Sequence, residues 1–192
     1  MVEQTRTITA DELFRMRDDG YRYELVAGRL RKMTPAGSLH GAIGSRLAAA
    51  IGDHVDRRHL GVVFGADTGF ELARDPDTVR APDVAFVSRA RIPASGIPTG
   101  YWSGPPDLAV EVLSPTDVRS EITEKIEEYL RSGVRQVWFV DPAARRVTIH
   151  QPNAAPAIFG EADTVDGGDV LPGFRYPLSR LFGFEALSNV SD

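Results

Sequence analysis

The stretch PPDLAVEVLSP (residues 105–115) predicts a strand that enters from a Pro- and Gly-rich loop and ends at a Ser-Pro step. Five of the seven residues from 107 to 113 are apolar, yet Glu111 lies near the middle, between two valines. A buried, ionised carboxylate without a partner costs several kcal/mol or takes up a proton. We therefore expect Glu111 to reach solvent at an open sheet edge, to pair with a cation or to bind a metal. Taken alone, a structural ion pair or a strand-end position is the simpler explanation.

The composition of the whole chain restricts the class of protein. Its 192 residues predict a single domain, residues 1–192, with a sizeable core. The formal net charge of -5 excludes a uniformly basic nucleic-acid binder but not a local basic groove. The lack of cysteine excludes disulfides and cysteine-ligated zinc. With no long apolar segment, these features predict a cytoplasmic protein without a membrane span.

Hydrophobic periodicity and turn signals predict an alternation of helices and strands. Four helices are predicted, over residues 9–20, 38–59, 116–131 and 178–182, with Ser38 as the N-cap of the second. Strands are predicted within residues 21–33, 61–72, 78–88, 107–113, 134–141 and 146–152. Buried strands flanked by helices indicate an α/β or α+β fold with a sheet of partly mixed direction.

A second carboxylate lies at the head of the strand before Glu111. Asp83 follows Pro82 and precedes the apolar run VAFVS. An Asp at the entry of a strand is common in turns. If the two strands are neighbours, however, Asp83 and Glu111 converge at one point in the sheet. Two adjacent carboxylates repel each other, and Mg²⁺, which prefers oxygen ligands, would relieve that repulsion.

The helix after Glu111 offers a cation. Lys125 lies at the border of the apolar face that Ile122 and Ile126 mark. An ordinary pair with Glu121, four residues earlier, is the simpler explanation for this lysine. Beside a metal, it would instead orient water or stabilise the charge that develops on a phosphate.

Two further residues are candidates. Glu24 lies in YRYELVAG, where periodicity gives about even weight to a solvent-facing strand position and to a functional one. His40 lies in the first turn of the long helix. For His40 a capping or packing role is favoured over contact with a phosphate or metal.

Together these segments resemble the Uma-type (Uma-two) endonucleases of the restriction-endonuclease-like superfamily, whose core motif is PD…(D/E)xK. The similarity extends over about residues 8–185, which we take as the core of the domain. It includes, in family order, RYELVAGRL, PDVAFV, DLAVEVLSP, the Lys125 helix and VWFVDP. The resemblance implies a mixed α+β fold with a central mixed sheet flanked by helices and an additional C-terminal β-hairpin region.

The resemblance also implies roles for single residues. Asp83 matches the acid of the PD motif and Glu111 the acid of the third motif, so both would be metal ligands. Glu24 matches the acid of an early Tyr-Glu-Leu motif and would bind the metal directly or through water. Leu113 stands where the superfamily motif has its lysine. Lys125 matches the catalytic lysine that this family takes from the following helix.

Three more positions bear on the resemblance. His40 matches a helix-start histidine and would be an accessory residue of the site. Gln136 is neutral where the family commonly has Glu, and Val137 replaces an aromatic residue. We expect these two departures to alter a peripheral contact rather than the metal site.

The leading hypothesis is an endonuclease that uses Mg²⁺ or Mn²⁺ to hydrolyse phosphodiester bonds of DNA. We expect a homodimer, because related folds often cut both strands as dimers. The alternative is a nuclease fold without turnover that binds nucleic acid or protein. A two-carboxylate glycosidase ranks last, since nothing in the sequence indicates a sugar cleft.

The loop over residues 89–106 is a candidate DNA-contact surface through Arg89, Arg91, Tyr101 and Trp102. A solvated loop with an aromatic plug is the favoured alternative.

Overall fold

The structure is a computed structural model, which describes residues 7–17 and 19–184. The expected domain and core bounds extend beyond these residues. The helices α1 to α4 cover Ala10–Phe14, Ser38–Arg58, Arg119–Ser132 and Leu178–Phe182, and a 3-10 turn covers Arg89–Arg91. The strands β1 to β13 cover Arg22–Val26, Arg29–Met33, Gly61–Gly65, Phe70–Ala73, Thr78–Arg80, Val84–Ser88, Trp102–Ser103, Leu108–Val112, Gln136–Asp141, Arg146–His150, Ala157–Gly160, Thr164–Asp166 and Arg175–Pro177.

Two mixed sheets and one hairpin organise the strands. The central sheet has the order β11-β10-β9-β8-β6-β3, and the side sheet has the order β2-β1-β5-β4-β7. In the central sheet β8 and β9 run parallel, and its other neighbours are antiparallel. A parallel pair needs a crossover connection, and α3 supplies it between β8 and β9. The antiparallel hairpin β12–β13 confirms the C-terminal β-hairpin region, and the mixed α+β class is confirmed as well.

The long helix α2 covers one face of the central sheet. The apolar residues at four-residue spacing, Ile43, Leu47, Ile51 and Val55, are fully buried in the same core cluster as strands β6, β8 and β9. Leu39, the first member of the predicted stripe, is 51% exposed. A four-residue spacing drifts by about 40° per step around an α-helix, so the whole stripe cannot face one sheet.

Helix ends differ from the sequence expectation in two places. Gly37 is the N-cap of α2 and makes no side-chain cap bond, so the N-cap role predicted for Ser38 is wrong. The capping box of Thr9 and Glu12 is present in α1. That helix nevertheless ends at Phe14 rather than near Gly20. The capping residues thus set where α1 begins, while residues 15–17 after its end are exposed and offer no packing that would extend it.

The opposite face of the central sheet packs against α3 and the side sheet. Ile122 and Ile126 of α3 contact the buried cluster that includes Phe139 and Trp102. Trp102 lies in β7, which pairs with β4, so it is a buried packing residue and not part of an exposed contact surface. Tyr101 is half-buried, with its ring 5.1 Å from that of Phe14. These positions confirm the aromatic-plug interpretation of the loop.

The hairpin β1–β2 belongs to the side sheet and stands beside α3. Its turn is Ala27-Gly28, where both residues have positive φ. A Cβ at Gly28 would lie 2.6 Å from the Cβ of Thr7, so this turn requires glycine. The hairpin therefore holds β1 in a defined register, which matters for Glu24 on that strand. In the part of the chain that the structure describes, none of the helices is long and apolar enough to span a membrane.

The burial difference along α2 predicts a difference in stability. Leu47→Ala leaves a cavity beneath the central sheet and should lower the free energy of unfolding by about 2–5 kcal/mol. Leu39→Ala, on the same helix but half-exposed, should change it by less than about 0.5 kcal/mol. Urea unfolding followed by circular dichroism measures both values. Equal losses would show that the first turn of α2 is packed and contradict this assignment.

Candidate active site

Asp83 and Glu111 face each other across two neighbouring strands. Val84 of β6 pairs with Val110 of β8 in an antiparallel register. One step along that register sets Asp83 opposite Glu111, and directly opposite residues point to the same face of a sheet. Both carboxylates line one cavity of about 860 Å³. The two acids that the sequence predicted to converge therefore lie together.

Glu111 is 7% exposed and has two strong partners. The Tyr129 hydroxyl donates a hydrogen bond of 2.6 Å to its Oε1. Lys125 Nζ lies 2.8 Å from the same oxygen. Both partners come from α3, so the helix that crosses over the sheet replaces the hydrogen bonds that Glu111 would make to water. The ion pair with Lys125 therefore explains how a carboxylate is accommodated in this apolar strand.

These contacts do not fully offset the cost of burying the charge of Glu111. The pKa of Glu111 is raised to about 7, mainly by burial. Lys125 opposes this rise, and the negative charges of Asp83 and Glu24 add to it. For Lys125, burial lowers the pKa, but Glu111 and Glu24 outweigh that effect and the pKa is raised. Burial raises the pKa of Tyr129 well above its usual value, so its hydroxyl keeps the proton that it donates. Glu111 therefore holds its proton more tightly than an exposed carboxyl does, while Lys125 and Tyr129 both keep theirs near neutral pH.

Asp83 is held by main-chain and imidazole groups. Its Oδ2 accepts a hydrogen bond of 2.8 Å from the N–H of Val112. His40 Nε2 lies 3.2 Å from the same oxygen. The hydrogen bond to Asp83 raises the pKa of His40, burial opposes the shift, and the charge of Asp83 adds to it. The first turn of α2 therefore reaches the site, as the accessory role predicted for His40 requires.

Glu24 belongs to the same network but is differently bound. It is almost fully buried, and its Oε2 accepts a hydrogen bond of 2.8 Å from Arg80. Its Oε1 accepts one of 3.0 Å from the N–H of Ala81 and lies 3.6 Å from Lys125 Nζ. Burial raises the pKa of Glu24, but Lys125 and then Arg80 lower it more, so the net shift is downward. Donors of this chain thus engage both oxygens of Glu24.

Lys125 reaches the strand from the helix, as the family pattern requires. Its Nζ stands between Glu111 and Glu24, and its side chain is 17% exposed. The simpler expectation of a pair with Glu121 is wrong, because Glu121 pairs with Arg31 of β2 at 3.4 Å. Leu113, at the usual lysine position, packs among apolar residues of the α3 face. The cation that faces Glu111 therefore comes from the helix.

Two residues of the network were missed in the sequence. Arg80 bridges Glu24 and Glu128, and both carboxylates raise its pKa against the effect of burial. Arg80 lies three residues before Asp83 in the short strand TVR, and only the structure shows that this strand is buried. Tyr129 gave no signal in the sequence, because a tyrosine on the apolar face of a helix is ordinary and its hydroxyl partner depends on tertiary packing.

Gln136 lies away from the carboxylates. It begins β9 opposite Leu108, whose neighbours on that face pack against α2. The Gln136 Oε1 accepts a hydrogen bond of 2.8 Å from the Trp138 indole N–H. Strand alternation puts these side chains on the face opposite Glu111. The geometry agrees with a peripheral contact at Gln136.

The charges of the network leave room for a cation. Among the described residues, no group of three or more His, Asp or Glu side chains is arranged to hold a metal. The network does contain more acids than bases: four carboxylates stand against two permanent cations. Its charged members are Asp83, Glu111, Glu24, Glu128, Lys125 and Arg80. Two opposed carboxylates in a cluster with more acids than permanent cations fit Mg²⁺, which keeps waters or phosphate oxygens as its other ligands.

Comparison with known proteins shows the family and the fold of the chain. Residues 10–179 match the Uma2 family, whose description is "Putative restriction endonuclease". A crystal structure of "a putative nuclease belonging to DUF820" from Anabaena variabilis superposes with a TM-score of 0.80. The two chains are 22% identical, and the match covers 92% of this chain and 98% of the other. The superposition shows a shared fold. No curated protein matches the chain.

The raised pKa of Glu111 predicts how stability depends on pH in metal-free protein. The folded state holds the Glu111 proton up to about pH 7, whereas the unfolded state releases it near pH 4.5. The stabilisation is therefore complete below about pH 4.5 and is lost as the pH rises through about 7. Glu111→Gln removes this titration, so between those limits wild type should lose on the order of 2 kcal/mol more than the variant.

Urea unfolding in EDTA at several pH values measures that difference. Glu127→Gln, an exposed carboxylate on α3, is the control and should behave as wild type. If Glu111→Gln and wild type changed in parallel, the carboxylate would not carry the proton inferred here.

Proposed function

Because the chain belongs to the Uma2 family, we propose that it is a divalent-metal-dependent endonuclease that hydrolyses phosphodiester bonds of DNA. One observation carries the proposal: Asp83 and Glu111 line one cavity at the adjoining ends of β6 and β8, with Lys125 Nζ 2.8 Å from Glu111. Two carboxylates and a lysine in one open cavity are the parts that metal-assisted phosphodiester hydrolysis needs.

Asp83 and Glu111 would hold the metal. When bound, Mg²⁺ or Mn²⁺ would lower the pKa of a water molecule and polarise a phosphoryl oxygen. Glu24 would contribute through water rather than directly, because Arg80 and the N–H of Ala81 already engage its two oxygens.

The protein's own groups prepare the site for a phosphate. Lys125 is positioned between two carboxylates and retains its proton, since both raise its pKa. Its ammonium would donate to the phosphate oxygens, on which negative charge increases in the transition state. Tyr129 fixes the direction of the Glu111 carboxylate by its hydrogen bond. His40 and the N–H of Val112 do the same for Asp83, so both acids are oriented before substrate arrives.

DNA as the substrate is supported by the family description and by the open, charged cavity. The net charge of -5 opposes binding by the surface as a whole, so contact with phosphates must be local. The homodimer and the cytoplasmic location stay predictions.

A second candidate function is a nuclease fold that binds without turnover. It is favoured by the internal pairing of the site, in which Lys125 neutralises Glu111 and His40 contacts Asp83. In such a protein these contacts would be structural, and metal would not change how the protein acts on DNA.

Nicking of supercoiled plasmid DNA separates the two candidates. Wild type should nick DNA with Mg²⁺ or Mn²⁺ and not in EDTA. Asp83→Asn, Glu111→Gln and Lys125→Met should each lower the rate by about a hundredfold or more, because each removes a ligand or a charge that acts on the transition state.

Glu127→Gln is the matched control on α3, since it removes an exposed carboxylate outside the cavity and should retain the wild-type rate. Nicking that persists in EDTA or in Glu111→Gln would refute the proposed mechanism. A folded wild-type protein without nicking under any of these metals would favour the binding function.

A further inference from the structure

The charged groups of the cavity fall into an inner and an outer set. The inner cations, Arg80 and Lys125, are largely buried and are engaged by the carboxylates of the site. The outer cations line the mouth of the same cavity on the hairpin β1–β2: Arg22, Arg31 and Lys32. The carboxylates of the site already engage the inner set, whereas the outer set lies where a bound substrate would extend out of the cavity.

Strand register directs Arg31 toward the site. In the pairing of β1 with β2, Arg31 is the partner of Glu24. Their side chains therefore lie on the same face, and Glu24 in turn approaches Lys125. Arg31 is thus one strand farther out than Glu24, on the side of the cavity that opens to solvent.

The partner of Arg31 comes from α3. Glu121 lies 3.4 Å from Arg31, and both side chains are well exposed, at 43% for Arg31 and 57% for Glu121. Exposed pairs of this kind contribute little stability and are weakened by salt. Glu121 precedes Lys125 by four residues, so the two residues lie on the same side of α3, about 6 Å apart along the helix axis.

Arg22 is less free than Arg31. Its guanidinium donates to the carbonyl of Ala66 and pairs with Asp67 at 3.1 Å. The ammonium of Lys32 lies over the ring of Tyr21, 2.9 Å from the ring centroid. Of the three, Arg31 alone faces Glu24 directly across the strands and is held by a single long ion pair.

We propose that Arg31 is a phosphate-binding residue for the nucleic-acid backbone next to the cleaved bond, and that Glu121 occupies it until substrate binds. This inference rests on the proposed function, because it assumes that a phosphodiester lies at Asp83 and Glu111. A neighbouring phosphate then reaches the cavity mouth about one helical turn from Lys125, where a guanidinium forms a bidentate contact. Glu121 repels that phosphate and competes with it for Arg31.

Substitution of the two partners gives effects of opposite sign. Arg31→Ala should weaken binding of a short fluorescein-labelled DNA duplex several-fold and lower the salt slope by about 1, because one phosphate contact is lost. Glu121→Gln should tighten binding several-fold, because the competing negative charge is gone. Fluorescence anisotropy over a series of salt concentrations, with Ca²⁺ in place of Mg²⁺ to occupy the two acids and with the duplex checked by electrophoresis to be intact, measures both.

The pair Arg131–Glu127 is the matched control. It is also an exposed Arg–Glu pair involving α3, at 3.6 Å, but neither residue lines the cavity. Arg131→Ala and Glu127→Gln should both bind DNA as wild type does. If Arg31→Ala matched Arg131→Ala, or if Glu121→Gln bound no more tightly than Glu127→Gln, the proposal would be wrong.

The outcomes also separate this inference from the proposed function. If wild type nicks DNA but the Arg31 and Glu121 variants bind normally, the phosphate-binding role fails and the nuclease assignment stands. Wild type that binds DNA with these mutational effects but never nicks it supports the role of Arg31 and refutes catalysis. Wild type that neither binds nor nicks DNA refutes both.

Discussion

The antiparallel register of β6 with β8 is the constraint on which the site depends. It sets Asp83 opposite Glu111, and a shift of one residue would turn one of the two carboxylates to the other face of the sheet. The register is in turn set by packing, because the large side chains of β6 and β8 lie on the α2 side and the small ones, Ala85 and Ala109, lie opposite each other on the α3 side. The core therefore determines where the two acids meet.

Carboxylates that lie close together at a buried point repel one another, and the surrounding helices supply partners that offset this repulsion. Helix α3 supplies Lys125 and Tyr129 to Glu111, and α2 supplies His40 to Asp83. Arg80 compensates Glu24 from the side sheet. Burial, with a smaller effect from the negative charges of Asp83 and Glu24, keeps the pKa of Glu111 raised despite these partners. A site that is incompletely neutralised by its own residues is prepared to accept a cation, and the same arrangement accounts for its raised proton affinity.

The order of charges from the interior to the mouth links this chemistry to substrate access. The buried cations serve the carboxylates, while the exposed Arg31–Glu121 pair lies on the route by which a polyanion would enter. An acidic protein gains no general attraction for nucleic acid from its net charge of -5. Binding of nucleic acid in a position for hydrolysis must then depend on a few residues at this cavity.

Part of this arrangement was accessible from residue patterns. A carboxylate in an apolar strand is costly whatever the fold, so Glu111 stood out, and the four-residue spacing in α2 predicted its buried face. Leu39 and Ser38 were misjudged because helix ends depend on local cap geometry and on the extent of the sheet beneath them. Arg80 was overlooked because a cation in a strand is usually exposed to solvent, and its partners here are known only from the structure.

The amino-acid order alone determined the element types and the mixed α+β class, and it singled out Glu111 as a costly carboxylate in an apolar strand. These follow from local periodicity and from the cost of burying charge, which act on each segment separately. The tertiary structure alone decided which cation faces Glu111, that Glu24 is engaged by Arg80, and that Glu121 pairs with Arg31 rather than with Lys125. Those choices join residues far apart in the chain, and an ion pair between distant segments depends on how the sheets and helices pack.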